Sequence, residues 1–310
     1  MKNALLSKEK VLFQIKEGMC SRRCKYCYEM LKEKAEMPLD VIEKYFKILS
    51  AETREAELIG SEPTEYSQWN QLIALAEKYG IKLCVYTSGL HLERLKNEAV
   101  STLILHLVVE PNETFMSEIN NILGLGKFIY LRVNFDDNNL SEKESVFSFL
   151  RSVKDEYKKQ ISIKYSFTAK TEFEGKYFDL QRIKDVKTSL FEFCAEIKKH
   201  FPQVSLFSER PLFKCCFSEK ELEQHVDAGI VFSCDMEYTV YKDGMIALCP
   251  PVEKLVRKRK VQDAQSFRRA IREIRKDMHK LFEKPSFPDC YRCKSLKDHS
   301  CQGGCFSYKL

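Results

Sequence analysis

Three cysteines near the start of the chain have the spacing of a metal–sulfur site. Cys20, Cys24 and Cys27 form a C-x3-C-x2-C pattern, with the aromatic Tyr26 just before the last thiol. Thiolates are soft ligands that suit iron–sulfur clusters, and electron-transfer clusters usually take four of them. Three ligands on one short loop would hold three irons of a cubane and leave the fourth iron open. The pattern therefore predicts a cluster that does chemistry at iron.

The alternatives for these thiols are a zinc site or buried, redox-inert cysteines. Zinc sites usually pair cysteines as C-x2-C with a second cysteine or histidine pair. No histidine lies near this loop in the sequence, which favours the cluster.

The stretch Cys20-Ser21-Arg22-Arg23-Cys24-Lys25-Tyr26-Cys27 resembles the cluster-binding loop of the radical S-adenosylmethionine (SAM) enzymes. The resemblance implies that the loop holds a [4Fe–4S] cluster and that Tyr26 lies at the cofactor. It also implies that the amino acid part of SAM binds the open iron. The reduced cluster would then cleave SAM to a 5′-deoxyadenosyl radical, with electrons from an external donor such as flavodoxin or ferredoxin.

Two later segments resemble further motifs of that family. Glu57–Pro63 reads ELIGSEP and is similar to the family's Gly-Gly-Glu-Pro motif, which contacts the SAM amino group. Ser61 replaces the second glycine, and Glu62 can pair with an ammonium. Lys82–Gly89 is an apolar strand that is similar to the family's third strand, which commonly ends Thr-Asn-Gly. The resemblance places five residues of these motifs at the SAM site: Gly60, Ser61, Glu62, Pro63 and Ser88.

Strand-like and helical runs alternate over the first two hundred residues. The predicted strands are Val11–Ile15, Ala56–Gly60, Ile81–Tyr86, Leu103–Val109, Phe128–Phe135 and Ile161–Phe167. The predicted helices are Leu39–Ser50, Tyr66–Tyr79, His91–Ala99, Glu113–Leu123, Glu142–Lys158 and Val186–His200. Six β-then-α units imply an α/β fold with a parallel sheet and outer helices, short of a complete eight-unit barrel. This count matches the family's partial (β/α)6 TIM-like barrel.

Active residues of such a barrel are expected at the carboxyl ends of the strands. Cys20, Glu62, Ser88 and Asn134 all follow predicted strands. Asn134 is expected to contact the ribose or carboxylate of SAM, or else to have a structural role as a turn-favouring residue.

The pattern changes after about residue 205, which predicts a barrel over 1–205 and a small, cysteine-rich β-hairpin/helix domain over 206–310. Cys234 and Cys249 flank a hairpin predicted over Tyr238–Leu248, with the turn signal Asp243-Gly244 at its centre. The protein ends in a C-x2-C-x7-C-x3-C pattern formed by Cys290, Cys293, Cys301 and Cys305.

This tail resembles the SPASM/twitch extension of many radical SAM maturases. The resemblance implies an auxiliary [4Fe–4S] cluster held by Cys234, Cys249, Cys305 and an upstream cysteine, Cys215 or Cys216. A second auxiliary cluster would be held by Cys290, Cys293 and Cys301. A single auxiliary cluster is an alternative, and so is one zinc ribbon in place of the C-terminal sites.

Adjacent cysteines cannot easily both ligate one cluster. One of the two is therefore expected to be the ligand, and Cys215 is taken as that ligand, although adjacency alone does not choose between them. The other, Cys216, is favoured as a packed or surface thiol, with donation of a hydrogen atom to a substrate radical as the alternative. Cys84 and Cys194 are expected to pack as small hydrophobes.

Composition fits a globular enzyme in a reducing compartment. The chain is 44% hydrophobic and 31% charged, with a formal net charge of +6. No apolar run approaches the length of a membrane span, and Met1–Lys10 lacks the apolar core of a signal peptide. Thirteen cysteines in such a sequence favour metal or cluster ligation over disulfides. We therefore expect a cytoplasmic protein without a membrane partner.

Basic residues concentrate between Lys254 and Lys276. An apolar stripe at helical spacing runs through the same segment, formed by Phe267, Ile271, Ile274, Met278 and Leu281. Such a stripe favours an amphipathic helix with a solvated basic face over an RNA- or peptide-binding patch, so no nucleic acid partner is expected.

The family resemblance implies abstraction of a substrate hydrogen atom and modification of a peptide or protein by crosslinking, oxidation or epimerisation. Only nineteen residues precede Cys20, so we expect no leader-peptide-binding domain ahead of the cluster loop. Small natural products such as sugars or nucleosides are therefore alternative substrates. A zinc- or cluster-bearing nucleic-acid-binding protein without catalysis is the alternative of another class.

Overall fold

A computed structural model describes residues 10–18, 20–22, 33–107, 110–135, 143–167, 180–234, 236–250, 256–282 and 288–305. The β-strands of these ranges are β1 (Lys10–Glu17), β2 (Ala35–Glu36), β3 (Glu55–Gly60), β4 (Lys82–Thr87), β5 (Val100–His106), β6 (Phe128–Phe135), β7 (Ile161–Phe167), β8 (Ser205–Ser208), β9 (Glu237–Val240), β10 (Met245–Leu248) and β11 (Arg259–Lys260). The α-helices are α1 (Leu39–Leu49), α2 (Trp69–Tyr79), α3 (Glu113–Gly124), α4 (Lys143–Ser152), α5 (Leu180–His200), α6 (Glu219–Gln224), α7 (Ala264–Phe282) and α8 (Lys294–Lys297). Short 3₁₀ helices cover Pro63–Glu65, Leu92–Lys96, Asp155–Gln160, Lys214–Cys216, Val226–Ala228 and Pro288–Arg292.

The protein folds into two compact units. The first comprises residues 1–104 and 235–283, and its main strands lie in the order β11-β10-β9-β1-β3-β4-β5. β1 pairs in parallel with β3 on one side and with β9 on the other, and β3 pairs in parallel with β4. The alternate residues Val11, Phe13 and Ile15 of β1 are almost fully buried, as expected for a central parallel strand.

The predicted hairpin at Asp243-Gly244 is confirmed. β9 and β10 pair antiparallel, and Gly244 takes a positive φ of 71° in the turn. The parallel pairing of β9 with β1 was not predicted, because a hairpin signal is local and does not specify the next strand in the sheet.

Helices α1 and α7 pack with the sheet of the first unit through aromatic rings. The Tyr45 ring makes edge contacts with Phe13 at 6.0 Å and with Phe267 at 6.2 Å, measured between centroids. Its hydroxyl donates a hydrogen bond to the Gly244 carbonyl at 3.0 Å. Burial of the Tyr45 phenol raises its pKa well above the usual range.

The solvated-helix prediction for the basic segment agrees with the structure of α7. Phe267, Ile271, Ile274 and Met278 are buried. Several arginines of this region bind partners of the same unit. Arg259 pairs with Glu273 and Asp277, Arg268 pairs with Glu52, and Arg275 donates to the Tyr238 hydroxyl.

The second unit comprises residues 105–234 and 284–310. Its strands β6, β7 and β8 are parallel neighbours in that order. One face of this sheet is apolar and contacts the helices. The Phe193 ring of α5 lies 5.9 Å from Phe135 and 6.3 Å from Phe147 of α4, between centroids.

The predicted strand boundaries hold best where apolar and polar residues alternate along the strand, as in β6 and β7. Strands Phe128–Phe135 and Ile161–Phe167 agree residue for residue. The helix predicted over Glu142–Lys158 was wrong in extent, because α4 ends at Ser152 and a 3₁₀ helix follows. Between them the Lys154 N–H donates to the Asn120 side chain at 3.1 Å, outside the helical pattern. Strand β8 was not predicted, and the domain boundary at 205 stays a prediction.

Candidate functional site

A buried carboxylate joins the two motif loops that follow β3 and β4. Glu62 is 1% exposed and accepts hydrogen bonds through both oxygens. Its Oε1 accepts from the Thr64 N–H at 3.2 Å, the Thr64 hydroxyl at 2.7 Å and the Thr87 hydroxyl at 2.9 Å. Its Oε2 accepts from the Ser88 N–H at 2.8 Å and the Ser88 hydroxyl at 2.6 Å. The structure therefore brings the predicted residues Glu62 and Ser88 into direct contact.

Gly60 lies where the backbones of β1 and β3 approach each other most closely. Its φ is +138°, and a Cβ at this position would lie 2.1 Å from the Lys16 carbonyl oxygen. That oxygen also accepts a hydrogen bond from the Ser61 N–H at 3.0 Å. Glycine is thus required at position 60 by the neighbouring strand.

The hydroxyl of Ser61 is a buried polar atom without a hydrogen-bond partner among the described residues. Ser61 is the residue that departs from the family's glycine. A buried hydroxyl is normally satisfied, so an unsatisfied one on this loop fits a polar atom of a bound ligand. Pro63 begins the 3₁₀ helix that follows and is buried. Arg94 fixes the far end of that helix by donating to the Thr64 carbonyl at 2.7 Å.

Glu65 links this motif to the cysteine loop. The Ser21 hydroxyl, directly after Cys20, donates to Glu65 Oε1 at 3.0 Å. Lys16 lies just before the loop, and its ammonium lies 3.4 Å from Glu65 Oε2 and 3.0 Å from the Glu65 carbonyl. Cys20 is half-buried. Cys24, Tyr26 and Cys27 lie outside the described residues.

At the carboxyl ends of β5, β6 and β7, three polar residues of the second unit are linked in a row by hydrogen bonds. The Ser166 hydroxyl donates to Asn134 Oδ1 at 2.7 Å, and Asn134 Nδ2 lies 3.3 Å from His106 Nε2. Asn134 and Ser166 are 5% and 1% exposed. With the amide oriented this way, Asn134 donates to an unprotonated Nε2 of His106. Only Asn134 was predicted from the sequence.

A charged layer, formed by Arg132, Lys164, Glu209 and Arg210, lies on the same sheet. Arg132 Nε donates to Glu209 Oε2 at 2.8 Å. Lys164 is 6% exposed, and its ammonium lies 4.6 Å from the Tyr130 ring centroid. Burial alone would raise the pKa of Glu209, but the positive charges of Arg132, Arg210 and Lys164 hold it below its usual value.

The sequence contained a signal for this layer that was missed. Tyr130, Arg132 and Asn134 alternate with the apolar residues of β6, so they share the face opposite the helices. The period-2 pattern of a barrel strand with polar alternate positions could have indicated them.

In the second unit, the C-terminal cysteine segment packs against two earlier cysteine segments. Gln302 is buried, accepts from the Cys234 N–H at 2.9 Å and donates through its own N–H to the Phe232 carbonyl at 3.2 Å. A Cβ on Gly304 would lie 2.5 Å from the Phe213 ring, and Phe213 lies just before Cys215. The Gly303 N–H donates to Cys301 Sγ at 3.3 Å.

The remaining predicted thiols are distributed as follows. Cys215 is exposed, Cys216 is 3% exposed, and Cys290 and Cys293 are half-buried. Cys249 follows β10 in the other unit. Within the described ranges, no three Cys, His, Asp or Glu side chains are grouped closely enough to hold a metal ion. The ligand sets of the auxiliary clusters therefore stay predictions.

Cys194 behaves as a packed hydrophobe, as predicted. Its side chain is 3% exposed on α5, and burial raises the pKa of its thiol to about 12. Cys84 is half-buried in β4. No helix among the described residues is long and apolar enough to cross a membrane.

Comparison with known proteins supports the family resemblance. Residues 18–118 match the Radical SAM superfamily. The whole fold is similar to SuiB of Streptococcus suis bound to S-adenosylmethionine, with a TM-score of 0.65 and 17% identity over 97% of this chain and 73% of SuiB. SuiB bound to its precursor peptide SuiA gives a TM-score of 0.62 and 15% identity over 97% of this chain and 72% of SuiB.

A second solved structure, native anSMEcpe with AdoMet and the Cp18Cys peptide, gives a TM-score of 0.60 and 17% identity over 96% of this chain and 89% of that one. No curated protein matches the sequence significantly. These likenesses show the fold, which is α/β with an open parallel sheet of the partial-barrel type. Residues 18–118 therefore form a domain of the Radical SAM superfamily, a family whose members use a [4Fe–4S] cluster and SAM.

Proposed function

We propose that this radical SAM enzyme modifies a peptide or protein substrate by crosslinking, oxidation or epimerisation. The observation that carries the proposal is the likeness in fold, over 96–97% of the sequence, to two proteins solved with peptides. SuiB was solved with the precursor peptide SuiA, and anSMEcpe with the Cp18Cys peptide. Small natural products such as sugars or nucleosides remain the alternative substrate class.

The residues present on the first unit fit the cofactors. Cys20, with Cys24 and Cys27 from the undescribed part of the loop, would ligate the cluster. The buried Ser61 hydroxyl has no partner among the described residues and would bind a polar group of the amino acid part of SAM. When bound, the cluster and SAM supply a 5′-deoxyadenosyl radical that abstracts a hydrogen atom from the substrate.

Glu62 would hold the SAM-binding loop in place. Its carboxylate fixes the turn after β3 to the end of β4 through contacts with Thr64, Thr87 and Ser88. A loop fixed before the ligand arrives loses less conformational entropy on binding. A direct contact between Glu62 and the SAM ammonium stays a prediction, and so does a contact between Asn134 and SAM.

The cysteines after residue 205 would hold one or two auxiliary [4Fe–4S] clusters, with Cys215, Cys234, Cys249 and Cys305 on the first. The contact between Gln302 and Cys234 supports this assignment, because it fixes the terminal segment beside an expected ligand. Burial of Cys216 favours the packed-thiol alternative over hydrogen donation, whereas Cys215 is exposed and accessible as a ligand.

An external electron donor such as flavodoxin or ferredoxin would reduce the enzyme. A cytoplasmic location is proposed because a protein with thirteen cysteines, many of them expected to ligate clusters as thiolates, needs a reducing compartment.

The test combines the enzyme with peptides encoded by short reading frames next to its gene. Anaerobically reconstituted enzyme, SAM and dithionite are incubated with each peptide prepared with deuterated side chains. We expect deuterium in 5′-deoxyadenosine and a mass change in one peptide, both measured by mass spectrometry. The Cys20→Ala variant is the control and should give neither signal.

Deuterium transfer from a labelled sugar or nucleoside, with none from any peptide, would contradict the proposed substrate class. It would leave the assignment as a radical SAM enzyme unchanged.

A further inference from the structure

One short segment of the first unit contacts both ends of the cysteine loop. The chain between Lys16 and Glu36 carries all three cysteines of that loop, and these two residues are register partners on the antiparallel strands β1 and β2. The clamp, formed by Glu65, Tyr66 and Ser67, begins at the end of the 3₁₀ helix that follows the motif expected to bind SAM. Its contacts therefore link the cysteine loop to the SAM-binding loop.

Glu65 holds the start of the cysteine loop on both sides of Cys20. Its Oε1 accepts a hydrogen bond from the Ser21 hydroxyl at 3.0 Å, and its Oε2 lies 3.4 Å from the Lys16 ammonium. The same ammonium donates to the Glu65 carbonyl at 3.0 Å. The Lys16 and Glu65 side chains are only 20% and 21% exposed, so water screens their ion pair only in part. A single carboxylate thus contacts the residue four positions before Cys20 and the residue just after it.

The other two residues of the clamp hold the end of the cysteine loop. The Ser67 N–H donates to Glu36 Oε1 at 3.1 Å, and the Ser67 hydroxyl donates to the same carboxylate. The buried Tyr66 hydroxyl donates to the Met37 carbonyl at 2.6 Å. Burial, together with the negative charge of Glu36, raises the pKa of Tyr66 to about 12, so this phenol remains a donor at neutral pH. The Lys16 ammonium lies 3.8 Å from Glu36 and so joins the two ends of the loop.

The clamp is also tied to the SAM-binding loop through the backbone. The Glu65 N–H donates to the Glu62 carbonyl at 3.0 Å, and the Ser61 N–H donates to the Lys16 carbonyl at 3.0 Å. Lys16 and Glu65 therefore belong to both loops. Because the loops share these residues, ordering one of them reduces the conformational entropy that is lost when the other is ordered.

We propose that Glu65 is a positioning residue of the radical SAM site, which holds Cys20 in place for the cluster and couples cluster binding to SAM binding. Lys16 and Ser21 are its partners, and the rest of the clamp closes the loop at its other end. The inference rests on the proposed cluster site at Cys20 and is independent of the substrate class. Since Tyr66 and Ser67 still close the loop when the Glu65 side chain is removed, the expected defect is a misplaced ligand and not an unfolded domain.

The test measures how firmly the reconstituted full-length enzyme holds the iron that depends on Cys20. Iron release to the chelator bathophenanthroline disulfonate is followed by absorbance under anaerobic conditions. Release from Cys20→Ala, which reports the other iron sites, is subtracted. We expect Glu65→Ala to release this iron at least about fivefold faster than the wild type, because two side-chain contacts with the loop are lost. SAM binding, measured by equilibrium dialysis, should weaken by a similar factor, since a coupling between two ligands is reciprocal.

Glu43→Ala is the matched control in the same unit. Glu43 of α1 accepts from the Lys78 ammonium at 2.7 Å and from the Tyr79 hydroxyl at 2.9 Å, so it has the same two types of partner as Glu65. Its replacement should lower Tm by a similar amount but leave iron release and SAM affinity unchanged, which separates positioning from a general loss of stability. Glu65→Gln keeps an oxygen that can accept from Ser21 and should be closer to the wild type than Glu65→Ala.

Should Glu65→Ala fail to fold, Ser21→Ala removes only the contact next to Cys20 and should speed iron release about threefold, because this contact is exposed. Unchanged iron release in folded Glu65→Ala or in Ser21→Ala would overturn the inference. Equally fast release from Glu43→Ala and Glu65→Ala would also overturn it. Equal iron contents of the wild type and Cys20→Ala would overturn the proposed cluster site itself and, with it, the inference.

Discussion

The carboxylate of Glu62 offers a sharp test of how the motif loops are held together. The variant Glu62→Gln has nearly the same shape but replaces one accepting oxygen with a donating amide. In the wild type, both oxygens of Glu62 face only donors, from Thr64, Thr87 and Ser88. The single oxygen of glutamine can accept hydrogen bonds on one side only. On the other side, its amide NH2 group would face groups that are themselves donors.

The cost can be estimated from these contacts. If the remaining oxygen keeps the Thr64 and Thr87 donors, the Ser88 N–H loses its acceptor, whereas the Ser88 hydroxyl can turn and accept from the amide. A lost hydrogen bond to a charged group costs about 1.5–3 kcal/mol. Loss of the negative charge also weakens the contacts that remain, so we expect a total of about 3 kcal/mol. With about 2–4 °C per kcal/mol for a protein of this size, Tm should fall by roughly 6–12 °C.

The assay is thermal unfolding of the anaerobically reconstituted enzyme without SAM, combined with a double-mutant cycle with Ser88→Ala. Because the two residues contact each other, their effects should be non-additive by about 1.5 kcal/mol or more. Glu77→Gln is the control, since Glu77 is an exposed carboxylate of the same unit that accepts one bond from Asn97. Additive effects would refute the reasoning. So would an unchanged Tm with weaker SAM binding, which would instead support a direct contact between Glu62 and the SAM ammonium.

Three other perturbations have clear expected outcomes. Cys20→Ala should abolish 5′-deoxyadenosine production while the C-terminal cysteines still bind iron. The wild type should hold about eight irons, or eleven to twelve with a second auxiliary cluster, at about four per cubane. Retained SAM cleavage in the variant, or only about four irons in the wild type, would contradict this. Gly60→Ala should lower the free energy of unfolding by roughly 3 kcal/mol or more, because the new Cβ would lie 2.1 Å from the Lys16 carbonyl oxygen. At Gly80 an added Cβ meets nothing within 4 Å, so Gly80→Ala should cost only about 1–2 kcal/mol. Equal losses in thermal unfolding would contradict the close approach of Lys16 to Gly60. Burial raises the thiol pKa of Cys194 to about 12, so this thiol should stay protonated at pH 8 in the native enzyme and should not be alkylated by iodoacetamide. Alkylation of Cys194 under these conditions, detected by mass spectrometry, would contradict its buried placement.

Local signals in the sequence were sufficient for most of the first six strand–helix units. Apolar residues at alternate positions located Phe128–Phe135 and Ile161–Phe167, and Asp243-Gly244 located the hairpin turn. The predicted motif residues Glu62 and Ser88 are in contact, because parallel strands bring their carboxyl ends to one edge. These features depend on residues close in sequence or on a topology rule.

Features that depend on distant pairing were not predictable in the same way. Strand β8 spans only Ser205–Ser208 and becomes recognisable only as a partner of β7. The contact between Arg132 and Glu209 joins residues 77 positions apart. His106 gives no signal of its own in the sequence, and its role emerges only from the position of Asn134. In each case the deciding interaction is a long-range contact that no local pattern encodes.

The two serines that depart from the family motifs have different physical consequences. Ser88 stands where the family commonly has asparagine, and its hydroxyl and N–H are both directed to Glu62. Ser61 stands in place of a glycine, and its buried hydroxyl has no partner among the described residues. Ser88 therefore contacts Glu62 through both of its donors, and any effect of Ser88 on SAM binding is expected to pass through Glu62. Ser61 is the position at which a direct side-chain contact with the proposed ligand would satisfy a buried donor. Since an unmade hydrogen bond of this kind costs about 1–3 kcal/mol, the Ser61 hydroxyl would favour the ligand-bound state of the loop if SAM binds there as proposed.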